Sequence, residues 1–241
     1  MSQLPRAILF DLDDTIISAY SEPGKAWREV SAEFAEHLAP HLSDAVGAAI
    51  SAYGDAFWAD PSRHKEWRQK LPEVRRLIVK GGLSQLAGGT LPVAEEVAHR
   101  FADRFTSYRE EKMHVFPGAL ETLATLKAGG TLMCLITNGD AATQRAKIER
   151  FALAPYFHHI QIEGEHGFGK PETAAYEHAL KTLGVRPGEA WIVGDNLDWE
   201  VATPQRLGIY AIWHDHLGVG LPEGSDVRPD RIIRNLAELL N

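Results

Sequence analysis

The amino-acid sequence predicts an α/β fold, in which a parallel sheet carries helices on both faces and an all-helical domain is inserted after the first strand. Two observations lead to this prediction. From about residue 118 onward, short apolar runs alternate with helical patterns, which is typical of buried parallel strands joined by helices. Between residues 18 and 111 the helical spacing continues but no clear strand occurs. The first strand is therefore separated from the rest of its sheet by a helical insertion.

Short runs rich in isoleucine, leucine and valine predict the strands, because these residues favour extended structure. In chain order the runs are AILF at residues 7–10, TLMCLIT at 131–137, the more polar HHIQIEG at 158–164, AWIVG at 190–194 and GIYAIW at 208–213. The helices predicted between and after them cover residues 118–128, 140–151, 172–183, 199–207 and 235–240. We expect these elements to form the sheet domain, residues 1–17 and 112–241.

The inserted segment has the spacing of amphipathic helices, for example in AWREVSAEFAEHL at residues 26–38 and in LPVAEEVAHRFADRFTSYREE at residues 91–111. Glycines and a proline in GGLSQLAGGTLP, residues 81–92, predict a flexible loop within it. We therefore expect residues 18–111 to form an all-helical second domain.

Composition limits the partners and the compartment. Lysine and arginine total 25 and aspartate and glutamate total 33, so the net charge of −8 disfavours nucleic acid as the main partner. No apolar run approaches the roughly 20 residues that span a bilayer, and the first residues lack the apolar core of a signal peptide. The single cysteine, Cys134, lies in an apolar run and is predicted to be buried and unreactive. We expect a cytoplasmic protein that binds neither nucleic acid nor membranes; the sequence predicts no oligomeric state.

Polar residues follow the predicted strands at the ends where open parallel sheets bind their ligands. They are Asp11 and Asp13 after the first strand, Thr137, Asn138 and Gly139 after the second, Gly169, Lys170 and Pro171 after the third, and Gly194, Asp195 and Asn196 after the fourth. Clustered carboxylates repel one another, so a cation should lie among them. Carboxylate oxygens suit Mg²⁺, while hydroxyl and ammonium groups suit phosphate oxygens. The pattern predicts a phosphate site beside a divalent metal.

Four motifs in this order, DLDDT, LITNG, GKP and VGDNLDWE, resemble the signature motifs of the haloacid dehalogenase (HAD) superfamily. The resemblance spans the sheet domain, and the helical insertion has the position of the cap domain in one subfamily. It implies a Rossmann-like core, a helical cap at residues 18–111, and Mg²⁺-dependent chemistry through an aspartyl phosphate.

The resemblance also implies roles for individual acids. Asp11 resembles the nucleophile, and Asp13 resembles the general acid and base that protonates the leaving oxygen and later activates water. Asp195 resembles a side-chain ligand of Mg²⁺, together with one Asp11 oxygen and the main-chain carbonyl of Asp13. A carboxylate attacks a phosphate dianion against charge repulsion, which the metal and a lysine would offset.

The phosphate itself is expected to contact Thr137 and Lys170, which resemble the phosphate-binding side chains of the family. Main-chain N–H groups near Leu12, Asp13 and Asn138 are expected to help. Family members often carry a second aspartate in the fourth motif, where this sequence has Glu200, with Asp198 nearby. Because glutamate is longer by one methylene group, we expect Glu200, with Asn196, to lie behind the metal ligands or to act through a water.

These observations predict a Mg²⁺-dependent phosphatase of small phosphorylated metabolites, such as sugar phosphates, phosphoglycolate or nucleoside monophosphates. A phosphomutase of the same family, and a protein that binds a phosphorylated metabolite without turnover, remain alternatives. Asp13 argues against a dehalogenase, because the resemblance implies that the dehalogenases of this family need neither an acid at that position nor a metal.

The histidines in HH at residues 158–159, GEHG at 164–167 and HDH at 214–216 could suggest a zinc site. They lack a cysteine partner and a regular helical spacing, so we predict that their side chains are exposed.

Overall fold

The computed structural model describes residues 4–19 and 23–241, and it divides the chain into two compact units. We call Met1–Ser18 with His114–Asn241 the sheet unit, and Ala19–Met113 the helical unit. The sheet unit is an α/β structure and the helical unit interrupts it after the first strands. The predicted fold class, a Rossmann-like parallel sheet with a helical insertion, is confirmed.

The strands of the described chain are β1 (Ala7–Phe10), β2 (Ile17–Ser18), β3 (His114–Val115), β4 (Leu132–Thr137), β5 (His159–Ile162), β6 (Ala190–Gly194), β7 (Tyr210–His214) and β8 (Arg231–Ile233). One parallel sheet has the order β5-β4-β1-β6-β7-β8, while β2 and β3 pair antiparallel. Strand β1 is buried along its whole length, as is typical of an apolar strand inside a parallel sheet, and it lies between β4 and β6. The carboxyl ends of β1, β4 and β6 therefore meet at one edge.

The helices of the helical unit are α1 (Pro23–Glu33), α2 (Ala35–Leu38), α3 (Ser43–Trp58), α4 (Pro61–Trp67), α5 (Leu71–Leu86) and α6 (Glu95–Lys112). Their apolar faces form one core, in which Trp27 stacks on Phe105. The predicted loop at 81–92 is wrong over its first half, since α5 continues to Leu86. A Cβ atom on Gly82 would lie 2.7 Å from Ile50 Cα, so this glycine allows α3 and α5 to approach each other.

The sheet unit adds α7 (Ala119–Ala128), α8 (Ala141–Arg150), α9 (Glu163–His166), α10 (Thr173–Leu183), a π-helix (Leu197–Ala202), α11 (Thr203–Arg206) and 3₁₀ helices at Ala154–Tyr156, Pro187–Glu189 and Leu236–Leu240. The predicted helix 199–207 is thus a π-helix followed by a short α-helix. It begins early because the Asn196 side chain accepts hydrogen bonds from the N–H groups of Asp198 and Trp199. The helix predicted at 235–240 is a 3₁₀ helix.

Three short strands, β2, β3 and β8, were not predicted from the sequence. Strands β2 and β3 have two residues each, and β8 has three, so none is long enough to display a periodic pattern.

Cys134 is buried as predicted, and burial raises the pKa of its thiol to about 12. Within residues 4–19 and 23–241, no helix combines the length and the apolar character that crossing a membrane requires.

Candidate active site

Asp11 lies directly after β1, and its carboxylate is buried. Its main-chain N–H donates to the Val193 carbonyl at 3.0 Å, which continues the pairing of β1 with β6. A tight turn then returns the chain, with the Ile16 N–H donating to the Leu12 carbonyl at 2.9 Å. This turn brings the Thr15 hydroxyl back to Asp11, where it donates to Oδ2 at 3.0 Å. One carboxylate oxygen is thereby fixed by its own strand-end turn.

Lys170 supplies the second contact to Asp11, with Nζ 2.5 Å from Oδ1. The Asn138 side chain fixes the Lys170 main chain, because Nδ2 donates to the Lys170 carbonyl at 2.7 Å and Oδ1 accepts from the Lys170 N–H at 2.8 Å. A Cβ atom on Gly169 would lie 2.6 Å from Asn138 Oδ1, so glycine is required at this approach. Behind Asn138, the buried Glu163 accepts from the Gly139 N–H at 3.0 Å. The Asn138 amide therefore positions Lys170, and its main-chain N–H remains the predicted phosphate donor.

Glu200 is a second carboxylate beside Lys170, with Oε1 2.6 Å from Nζ. Lys170 and Glu200 are each 1% exposed, so one buried ammonium holds two buried carboxylates. Burial raises the pKa of Glu200 to about 7, although the charge of Lys170 acts in the opposite direction. Burial would lower the pKa of Lys170, but Asp11 and Glu200 outweigh it and hold that pKa above its ordinary value. The structure thus places Glu200 in contact with Lys170.

Room for Glu200 comes from Gly194 at the end of β6, where a Cβ atom would lie 1.9 Å from Glu200 Cγ. Asn196 holds the turn that follows, since its N–H donates to Glu200 Oε2 at 2.9 Å and its carbonyl accepts from the Glu200 N–H at 2.8 Å. Asn196 and Glu200 therefore fix each other, and together they fix the segment that carries Asp195.

Asp195 follows β6 and lies close to the other acids. Burial, and then the charges of Asp11 and Glu200, raise the pKa of Asp195 well above its ordinary value. A divalent cation would relieve this repulsion, and carboxylates with the Asp13 main-chain carbonyl are the hard oxygen donors that Mg²⁺ prefers. The residues present therefore fit the predicted magnesium.

The Asp13 side chain pairs with α8, a contact that the sequence did not predict. Lys147 Nζ lies 2.8 and 2.7 Å from the two Asp13 oxygens. Gln144 Nε2 lies 3.1 Å from Asp13 Oδ2 and 2.5 Å from Thr137 Oγ1, so it joins the predicted general acid to a predicted phosphate ligand. Gln144 and Lys147 are three residues apart and share one face of α8. The signal available in the sequence was limited to two polar residues with this spacing on the helix that follows Thr137.

The prediction of exposed histidines is confirmed for His158 and wrong for the others: His214 is 1% exposed, and His159, His166 and His216 are half-buried. His214 ends β7, and its Nδ1 lies 3.0 Å from the main-chain oxygen of Asp14 in the turn after β1. Burial lowers the pKa of His214, so its neutral form supports this turn. Asp14 itself has a φ of 56°, a left-handed conformation that aspartate tolerates better than most residues.

The fold and this cluster of groups define a class of hydrolase. The model of the haloacid dehalogenase-like hydrolases matches residues 5–208, and the chain belongs to that family. A magnesium-bound HAD-hydrolase from Bacillus subtilis has the same fold, with a TM-score of 0.71 at 21% identity over 98% of this chain and 97% of that one.

Named relatives are similar over most of the chain. Phosphoserine phosphatase of Thermus thermophilus is 34% identical over 211 residues, which are 86% of this chain and 76% of that protein. Glyceraldehyde 3-phosphate phosphatase of Pyrococcus furiosus is 28% identical over 213 residues, 86% of this chain and 80% of that protein. The chain therefore falls in the phosphatase branch of the superfamily, whose members are phosphoric monoester hydrolases.

Proposed function

We propose that this protein is a Mg²⁺-dependent phosphatase that hydrolyses small phosphate monoesters through an aspartyl-phosphate intermediate on Asp11. The observation that carries the proposal is the buried pair of Asp11 and Lys170, whose charged atoms lie 2.5 Å apart. A carboxylate can approach a phosphate dianion only where positive charge offsets the repulsion. The relatives that act on phosphoserine and on glyceraldehyde 3-phosphate support a small phosphorylated metabolite as substrate.

Phosphate binding is assigned to groups at the carboxyl edge of the sheet. The ammonium of Lys170 and the hydroxyl of Thr137 would bind phosphoryl oxygens, together with the main-chain N–H of Asn138. Asp11, Asp195 and the Asp13 main-chain carbonyl would hold Mg²⁺, which supplies further positive charge to the phosphoryl oxygens. Glu200 keeps Lys170 charged and in place, because its Oε1 lies 2.6 Å from Nζ.

The reaction then takes two displacements at phosphorus. An Asp11 oxygen attacks phosphorus, the bond to the leaving alcohol breaks, and Asp13 gives its proton to the leaving oxygen. In the second displacement Asp13 takes a proton from a water that attacks the aspartyl phosphate, which releases inorganic phosphate and restores the Asp11 carboxylate.

Lys147 affects whether Asp13 carries a proton, because it contacts the Asp13 carboxyl group. An ammonium donates hydrogen bonds and cannot accept them, so its contact with both Asp13 oxygens suits the ionised carboxylate that acts as base. A protonated Asp13 keeps a single acceptor oxygen for Lys147 and directs its O–H elsewhere. Lys147 and Gln144 would thus guide Asp13 between its two roles.

Replacing Asp13 by asparagine tests this assignment. We expect Asp13→Asn to slow hydrolysis by about 10²–10⁴-fold, because both proton transfers are lost. In single-turnover experiments the formation of phosphoenzyme should suffer more with an alkyl phosphate than with nitrophenyl phosphate, whose leaving group needs no proton. Asp198→Asn, an exposed acid of the fourth motif, is the control and should retain wild-type rates. Equal losses on both substrates would contradict the role of Asp13 as acid.

The proposed function is tested by measuring inorganic phosphate released from a panel of sugar phosphates, phosphoglycolate and nucleoside monophosphates by metal-stripped protein. We expect release with Mg²⁺, none in chelator, and inhibition by Ca²⁺, which readily takes carboxylates through both oxygens and would occupy the attacking oxygen of Asp11. A rearranged ester without free phosphate would indicate a phosphomutase, and saturable binding without turnover would indicate a binding protein. Full activity in chelator would overturn the metal dependence.

A further inference from the structure

Three histidines from separate elements meet beside β5, the outermost strand of the sheet, outside the network around Asp11. His159 begins β5, His166 ends α9 and His178 lies within α10. A ring nitrogen from each lies within 4.8 Å of the others. The ring centroids are 6.0 Å apart for His159 and His166, 5.5 Å for His159 and His178, and 5.0 Å for His166 and His178. A tetrahedral site with metal–nitrogen bonds of about 2.0–2.1 Å places imidazole centres roughly 5 Å apart, so the spacing is close to that of a metal site.

Hydrogen bonds orient two of these rings in the manner of metal ligands. Nδ1 of His178 lies 2.8 Å from Oε1 of Gln161, whose amide nitrogen donates to the Ala175 carbonyl and so fixes which end of the amide faces the ring. Nδ1 of His166 lies 3.1 Å from the Ile162 main-chain oxygen. Both partners are acceptors, so each Nδ1 carries the proton and each Nε2 presents a lone pair.

The third ring provides an independent observation. Nε2 of His159 is buried, and it has no hydrogen-bond partner among the residues that the structure describes. Buried polar atoms are rarely left unsatisfied, and a bound cation would provide this nitrogen with a partner.

From this geometry we propose that His159, His166 and His178 bind a divalent transition-metal cation of the zinc class, with a fourth position open to water or another ligand. Imidazole nitrogens select such cations over Mg²⁺, which prefers oxygen donors, so the two metal sites would take different ions. The proposal is independent of the phosphatase chemistry. It gives His178, a residue that no sequence motif indicated, the role of a metal ligand.

Neighbouring charges have opposing effects on this site. Burial, and then the other histidines of the cluster, lower the pKa of His159, and burial also lowers that of His178, so both are neutral ligands at neutral pH. Arg145 is a nearby positive charge, but Glu165 pairs with it at 2.6 Å and offsets it. Lys181 lies one helical turn after His178 and opposes cation binding weakly because it is exposed.

The position of the three histidines in the fold indicates what a bound cation would do. The loop of residues 167–172 carries Lys170, and it runs from His166 at the end of α9 to the start of α10. A cation shared by His166 and His178 would join the two elements that flank this loop. We therefore expect bound metal to stabilise the fold and to hold the segment that presents Lys170 to Asp11.

The test is titration of the metal-stripped full chain with Zn²⁺ by calorimetry, in excess Mg²⁺ to occupy the oxygen-donor site. We expect one Zn²⁺ per chain, and a melting temperature raised by about 5–10 °C at a free Zn²⁺ concentration about 100 times Kd. Bound Co²⁺ should show the intense visible absorption of tetrahedral coordination. A weak octahedral spectrum, or no saturable Zn²⁺ binding in excess Mg²⁺, would overturn the proposal.

Two variants identify the ligands. His166→Ala and His178→Ala should each weaken Zn²⁺ binding by at least about 100-fold, since loss of even an outer partner of a metal ligand costs about 10–100-fold. His158→Ala, the exposed neighbour outside the cluster, is the matched control and should bind Zn²⁺ like the wild type. Melting of each metal-free variant shows that it is folded before titration. Wild-type affinity in both cluster variants would mean that Zn²⁺ binds elsewhere, for example at the acids around Asp11, and would refute the histidine site.

Discussion

Asp11→Asn is expected to abolish turnover, with kcat for phosphate release falling by at least about 10⁴-fold. An amide nitrogen or oxygen cannot replace the attacking carboxylate, and the substitution also removes one anionic oxygen from the predicted metal site. The measurement is steady-state phosphate release from nitrophenyl phosphate in Mg²⁺, together with trapping of phosphorylated protein after acid quench.

The fold should tolerate this change. Asparagine has nearly the shape of aspartate, and Lys170 keeps Glu200 at 2.6 Å as a charged partner. Burial raises the pKa of Asp11, which means that the folded protein holds this charge at a cost that the variant no longer bears. We therefore expect a melting temperature equal to or above that of the wild type in the metal-free state. Substantial turnover by a folded Asp11→Asn protein would remove Asp11 as the nucleophile.

Lys170→Met is expected to affect both activity and stability. Loss of the ammonium should lower kcat by about 10²–10³-fold or more, the usual cost of removing one donor to transition-state charge. It also leaves Asp11 and Glu200 buried without the cation that now lies 2.5 and 2.6 Å from them. Breaking a buried ion pair costs about 3–5 kcal/mol of unfolding free energy, so we expect a loss in that range at neutral pH.

The stability loss should depend on pH with a definite sign. The pKa of Glu200 is raised from 4.5 to about 7 in the folded protein, and it should rise further without Lys170. At pH values between the unfolded-state and folded-state pKa of Glu200, the folded state binds more protons than the unfolded state. The free energy of unfolding therefore falls as pH increases through this window. Denaturant unfolding of the metal-free variant at about pH 5 and about pH 8 should therefore show the larger loss at the higher pH.

A second substitution separates charge from packing. Lys170→Met with Glu200→Gln removes one of the unpaired carboxylates, and we expect it to regain part of the stability at the higher pH while activity stays lost. Lys181→Met, an exposed lysine of the same unit, is the control and should change neither property measurably. A loss for Lys170→Met that is equal at both pH values, or no recovery in the double variant, would contradict the charge-pairing explanation.

The sequence by itself determined the sheet and the residues at its edge. Apolar runs such as residues 7–10 and 190–194 are too short for helices and are typical of strands covered on both faces, and a parallel arrangement directs their carboxyl ends to one side. Asp11 and Asp195 follow from this rule, since their positions depend only on where a strand ends. Family membership was likewise present in the sequence, because the order of motifs along the chain expresses the order of strand ends.

The tertiary structure decided which of these groups touch one another. The sequence shows that Asn138 and Lys170 share an edge, but it does not show that the asparagine amide binds the lysine main chain. It does not show that Lys147 reaches Asp13 across 134 residues of separation, or that His178 turns towards His159. Such contacts depend on the direction of side chains from elements that lie far apart in the chain. Their direction is fixed by packing, which no local pattern of residues records.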